Sequence, residues 1–127
     1  MMKIKFRAWD KDKKSLLPVK LIDFFQWLVS CGEGSIERNS FKNERTDRHV
    51  LMQCTGVKDR NNKDIYDGDV LYHQMQGKRE VYYPFMEHVA AFGLRNVENG
   101  MAGDLSDSHI YEIIGNIYEN PELLGGK

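Results

Sequence analysis

The stretch LMQCTGVKDRNNKDIYDGDVL, residues 51–71, decides how the rest of the chain is read. A strand over about Val50 to Cys54 opens it. The polar run that follows contains Asn61-Asn62, a residue pair that tolerates the left-handed backbone of a tight turn. Asp64 to Tyr66 then gives a short strand, Gly68 a second turn, and Val70 to Gln74 another strand. The spacing predicts a compact hairpin whose Ile65 and Val70 point inward, with Gly68 at positive φ and Asp67 and Asp69 accepting backbone N–H bonds around it.

Period-two patterning continues on both sides. Toward the C-terminus, Lys78 to Tyr83 forms a strand flanking the turn at Gln76 and Gly77, and VAAFGLRNV supplies another after Pro84. Glu98 to Asp107 reads as a glycine-containing loop. HIYEIIGNIYEN is one strand with an irregularity at Gly115, and NPELL closes in a turn. Toward the N-terminus, Ile4, Phe6 and Ala8 alternate with Lys3, Lys5, Arg7 and Trp9, giving a strand that stops at Asp10 before the charged turn KDKK. Leu21, Phe24, Phe25 and Leu28, widened by Ile22 and Val29, have helical spacing. They predict one helix from Pro18 to about Cys31, capped by Gly32. Residues 32–48 read as a long loop with a short strand around Ser35 to Phe41. The expected fold is mainly β, a single compact domain of short antiparallel strands in a barrel-like or bent sheet, with one helix near residues 18–31.

IKFRAWD near the start, LMQCTGVKDRNNKDIYDGDVL in the centre, AFGL, and YEIIGNIYENPELL at the end together resemble the YopX family of phage and prophage proteins. They stand in the family's order and span nearly the whole chain. The family pattern has an aromatic residue after MQ and a lysine-asparagine-glycine turn; here Cys54 and Arg60-Asn61-Asn62 stand instead, which still permits a tight turn. The segment between the first strand and LMQ varies in length in the family, so the resemblance implies one domain over 1–127 with a variable insertion at about 18–48. It also implies phage origin and a mainly β fold, and it implies no settled activity.

Composition narrows the function classes. The 127 residues carry 18 Lys+Arg against 19 Asp+Glu, a formal net charge of -1, which lacks the large positive field of a general nucleic-acid coat or a polybasic membrane-surface protein. No apolar run has the length of a membrane span and MMKIKF has no apolar signal core, so a cytoplasmic protein is expected, with no membrane partner. Cys31 and Cys54 lack a CxxC partner and read as thiols. Residues 1–20 hold seven basic residues against two acids, while residues 98–127 hold six acids against one lysine. Opposite charge at the two ends predicts that the strand Ile4 to Trp9 lies beside Asn116 to Glu122, within one molecule or between subunits.

Motifs for chemistry fail one by one. Asp64, Asp67 and Asp69 resemble the start of a calcium loop, but the glutamate needed at the twelfth position is Met75. His49, His73, His88 and His109 have no metal-ligand spacing. Ser106, Asp107, Ser108 and His109 are hydrolase residue types without a nucleophile elbow, and Gly125-Gly126-Lys127 reads as a frayed tail rather than a phosphate loop. No catalytic residue, metal or cofactor is assigned.

Binding residues are the better candidates. Trp27 falls outside the apolar stripe of the expected helix, beside Asp23 and Lys20, and these three mark a candidate self-association surface, with cover by Ile36 or Phe41 as the alternative. Trp9, Tyr72, Tyr82, Tyr83, Phe85 and Phe92 lie on or beside strands, and Tyr82 with Lys78, Arg79 and Arg95 forms a candidate single-stranded nucleic-acid surface, although core packing is the commoner use of such rings. The leading expectation is an accessory protein acting through a host protein, a phage protein or a second copy of itself. Single-stranded nucleic-acid binding is the alternative, and a hydrolase comes third.

Overall fold

In the computed structural model, which describes residues 5–23, 28–31, 35–37, 49–86 and 91–125, all regular structure except two 3-10 turns is antiparallel strand. The strands are β1 Phe6–Asp10, β2 Ser15–Asp23, β3 Leu28–Cys31, β4 Ser35–Glu37, β5 His49–Lys58, β6 Asp64–Tyr66, β7 Asp69–His73, β8 Gly77–Tyr82, β9 Gly93–Asn96, β10 Ala102–Asp104 and β11 Glu112–Asn116. The chain divides into two compact units, Ile4–Gln53 and Cys54–Lys127. Their described strands form open sheets, not a closed barrel.

The first unit has the order β4-β3-β2-β1 followed by the opening half of β5. Ala8 is fully buried on β1, with Leu17, Val19 and Leu51 packed against it. The helix expected over 18–31 is not formed: residues 18–23 belong to β2 and 28–31 to β3, while Trp27 lies outside the described residues. Two local features explain the misreading. A register shift between Val19 and Leu21 interrupts the alternation of β2, so Leu21 and Ile22 imitate helical spacing. Pro18 sits where β2 pairs with β1 but β3 has not yet begun, so its missing N–H costs no ladder bond on that side. Asp10 closes the β1–β2 turn by accepting the N–H groups of Asp12 and Lys13.

The second unit holds the five-stranded sheet β10-β9-β8-β7-β11 and the hairpin made by the closing half of β5 with β6. Ile65, Leu71, Val81, Leu94 and Tyr111 form its core, joined by Val57, Phe92, Leu105 and Ile113. Ile65 and Val70 are both fully buried, and Gly68 has φ 89°, as the hairpin reading requires. Asp69 accepts the Tyr66 N–H at 2.8 Å across the turn, as the hairpin reading expects. The loop expected over Glu98–Asp107 contains a strand, β10, and among the described residues the strand after Pro84 is Gly93–Asn96. Gly115 marks a register shift in β11, where the sequence placed an irregularity. Within the chain, β1 is hydrogen-bonded to β2 and β5, and β11 to β7, so no backbone ladder joins β1 to β11.

Candidate functional site

Alternation on the five-stranded sheet separates the predicted nucleic-acid residues. Leu71, Val81 and Leu94 enter the core, so Arg79, two residues from Val81, shares their face. Lys78, Tyr82 and Arg95 lie on the other face, with Glu80 and the exposed Tyr72. There Arg95 is already engaged: its guanidinium stands 4.3 Å from the Tyr82 ring centroid and its Nη2 reaches Glu80 Oε1 at 3.3 Å. The Tyr82 ring leans over Gly93, and its hydroxyl donates to the Phe85 carbonyl at 3.0 Å. Lys20 is exposed on β2 and Asp23 ends that strand, so the structure does not place either of them on a helix with Trp27.

The core face carries the second candidate. β10 and β11 are the two edges of the sheet, so the connection between them must cross its face. Leu105 and Tyr111 anchor this crossing in the core, and the 3-10 turn Ser108–Ile110 lies between them. A pocket of about 200 Å3 remains where the crossing meets the sheet, lined by Gln76, Arg79, Leu94, Gly103, Asp104, Asp107, Ile110 and Tyr111. Arg79 Nη2 donates to Gln76 Oε1 at 3.3 Å, and the buried Nε–H has no acceptor among the described residues. Asp104 accepts both the hydroxyl and the N–H of Ser106, which hold its carboxyl below the ordinary range. No residue pattern announces this pocket, because strands and crossing meet only in the fold.

Two hairpin tips flank the same end of the sheet. The β7–β8 tip is fixed by Gln76 N–H to the His73 carbonyl and Met75 N–H to His73 Nδ1. Asn96 Oδ1 braces the β9–β10 tip by accepting from Glu98 and Asn99, and Asn96 Nδ2 donates to the Gln76 carbonyl, tying one tip to the other. Met75 and Met101, carried on these tips, are 81% and 67% exposed.

The other edge of the sheet is closed by Asp59. Its buried carboxylate accepts the N–H groups of Asn61 and Lys63 within the β5–β6 turn and of Ile113 on β11, while Arg60 N–H donates to the Tyr111 carbonyl. Burial by itself would raise the Asp59 carboxyl, but the three N–H bonds outweigh it and leave it below the ordinary value. The turn thus occupies backbone groups that an edge strand would otherwise offer to another chain.

This hairpin and the strands around it are what the YopX sequence profile, described as YopX protein, matches over residues 5–125. The chain belongs to the YopX family. It is also similar to the crystal structure of protein EF1440 from Enterococcus faecalis, with a TM-score of 0.67, 26% identity, and coverage of 98% of this chain and 99% of that one. No curated protein matches the sequence. The YopX match includes β2 and β3, so the segment read from sequence as a variable helix belongs to the matched region as strands.

Proposed function

We propose that the chain is an accessory protein of phage or prophage origin, working in the bacterial cytoplasm by contact with another protein or a second copy of itself. The observation that carries this reading is the pair of exposed methionines, Met75 and Met101, held at one end of the sheet by hydrogen-bonded tips. Single exposed apolar residues are ordinary on a protein surface. Two unbranched, polarisable side chains on backbone already fixed are better suited to contact, because methionine adapts to irregular partner surfaces and little backbone order remains to be lost on binding. Family membership supports the setting.

The test is a double substitution, Met75→Asp with Met101→Asp. Surface changes of this kind shift stability by only about 0.5 kcal/mol. Light scattering and co-purification from prophage-carrying cells should show a defined complex with the wild-type chain and its loss with the double variant. A complex unaffected by both charges would move the contact elsewhere on the protein.

A further inference from the structure

We propose that the pocket between the sheet and the β10–β11 crossing binds a small zwitterion of amino-acid size, its carboxylate on Arg79 and its ammonium toward Asp107. The inference is independent of the contact surface proposed above.

It begins with Arg79. The buried Nε–H has no acceptor among the described residues, and a buried donor without one calls for an explanation. Nε and Nη2 form one edge of a guanidinium, the edge that grips a carboxylate with two parallel bonds. Here that edge meets a single oxygen, Gln76 Oε1, at a long 3.3 Å on Nη2 alone. Gln76 is exposed on the hairpin tip, so its side chain can swing away at small cost. A carboxylate taking its place would satisfy both nitrogens.

Charge then decides what else the ligand must carry. Arg79 and Asp107 line the pocket with opposite charges, and among the described residues no ion pair joins them. Asp104, paired with Gly93, alternates onto the face of the sheet opposite Leu94 and Arg79. A plain anion would satisfy Arg79 but bring a second negative charge beside Asp107. A plain cation would leave the Nε–H without an acceptor. A zwitterion satisfies the cationic and anionic walls together. Size agrees: drug-sized sites run about 300–1,000 Å3, and a pocket of about 200 Å3 takes something smaller. Leu94, Ile110 and Tyr111 give the apolar wall against which an amino-acid side chain would rest.

The experiment is a titration of the purified full chain, followed by backbone amide NMR, with each of the common amino acids and with acetate and methylammonium as half-ligands. At millimolar concentrations at least one amino acid should shift the Gly103, Asp107 and Tyr111 amides, and neither half-ligand should match it. Arg79→Gln should weaken that binding by about tenfold or more, and Asp107→Asn, at an exposed position, should weaken it without affecting the fold. Gln76→Ala, which removes the competing oxygen, should preserve or tighten it. Acetate binding as well as every amino acid, or no shift with any of them, would overturn the proposal. So would binding that Arg79→Gln and Asp107→Asn both leave unchanged.

Discussion

Asp59 and Ile113, 54 residues apart in sequence, are joined by a 3.0 Å hydrogen bond from the Ile113 N–H to Asp59 Oδ2. The other carboxylate oxygen organises the β5–β6 turn, accepting from Asn61 and Lys63 at 2.9 Å each. One buried side chain therefore shapes the hairpin and fastens it to the edge of the five-stranded sheet. Asp59→Ala should cost roughly 2–4 kcal/mol in urea unfolding, because buried donors lose their acceptor. Asp59→Asn, which keeps one accepting oxygen, should cost less.

The same carboxylate sets an acid limit on stability. Its folded pKa lies below its unfolded value, so its contribution is complete above the unfolded value and is lost as pH falls through the folded one. Unfolding free energy of the wild type should thus fall below about pH 4, and that of Asp59→Asn should fall less steeply there. Equal slopes would assign the acid sensitivity to other carboxylates.

Gly68 tests the second turn. At φ 89° it donates its N–H to the Val81 carbonyl and accepts from Ile117, so the turn cannot relax without losing both bonds. Gly68→Ala should lower stability by about 1–2 kcal/mol, and Gly68→Val by more, in thermal unfolding.

Gly93 and Gly103 form a matched pair. A Cβ on Gly93 would lie 2.9 Å from Tyr82 Cε1 and 3.0 Å from Phe85 Cδ1, whereas on Gly103 it would meet nothing within 4 Å. Gly93→Ala should cost about 1–3 kcal/mol and disturb the Arg95–Tyr82 stack, while Gly103→Ala should be nearly neutral.

The nucleic-acid alternative makes its own prediction. Its residues are divided between two faces of the sheet, and Arg95 is occupied by Tyr82 and Glu80. Single-stranded oligonucleotides should give no salt-dependent mobility shift at low salt. A shift that falls steeply with added salt and is reduced by Lys78→Glu would restore that reading, since phosphate contacts release counterions.

Residues 49–83 were legible from sequence because their information is local. Asn62, at φ 64°, and Gly68 fix the turns, and alternation fixes Ile65 and Val70. Residues 15–23 and 28–31 were not, because their strand character comes from the pairing of β2 with β1 and of β3 with β2, a tertiary effect that overrides helical spacing. β10 escaped notice for the same reason: AGD carries no strand propensity and is held by pairing with β9. Sequence alone groups Tyr82, Lys78 and Arg95 with Arg79, and only the strand register shows that Arg79 belongs to the core face. The pocket left no trace in sequence, since its walls come from β8, β9, β10 and the crossing. The exposure of Met75 and Met101 was equally hidden, because methionine is as common in a core as at a contact surface.

The contact reading is tested most directly by a photo-crosslinking residue placed at position 75 or 101, with position 61 on the β5–β6 turn as control, in cells that carry the prophage. Positions 75 and 101 should each yield one adduct of defined mass, the same for both, and position 61 should not. Adducts only at position 61, or none at 75 and 101, would contradict the assignment of the hairpin tips as the contact surface.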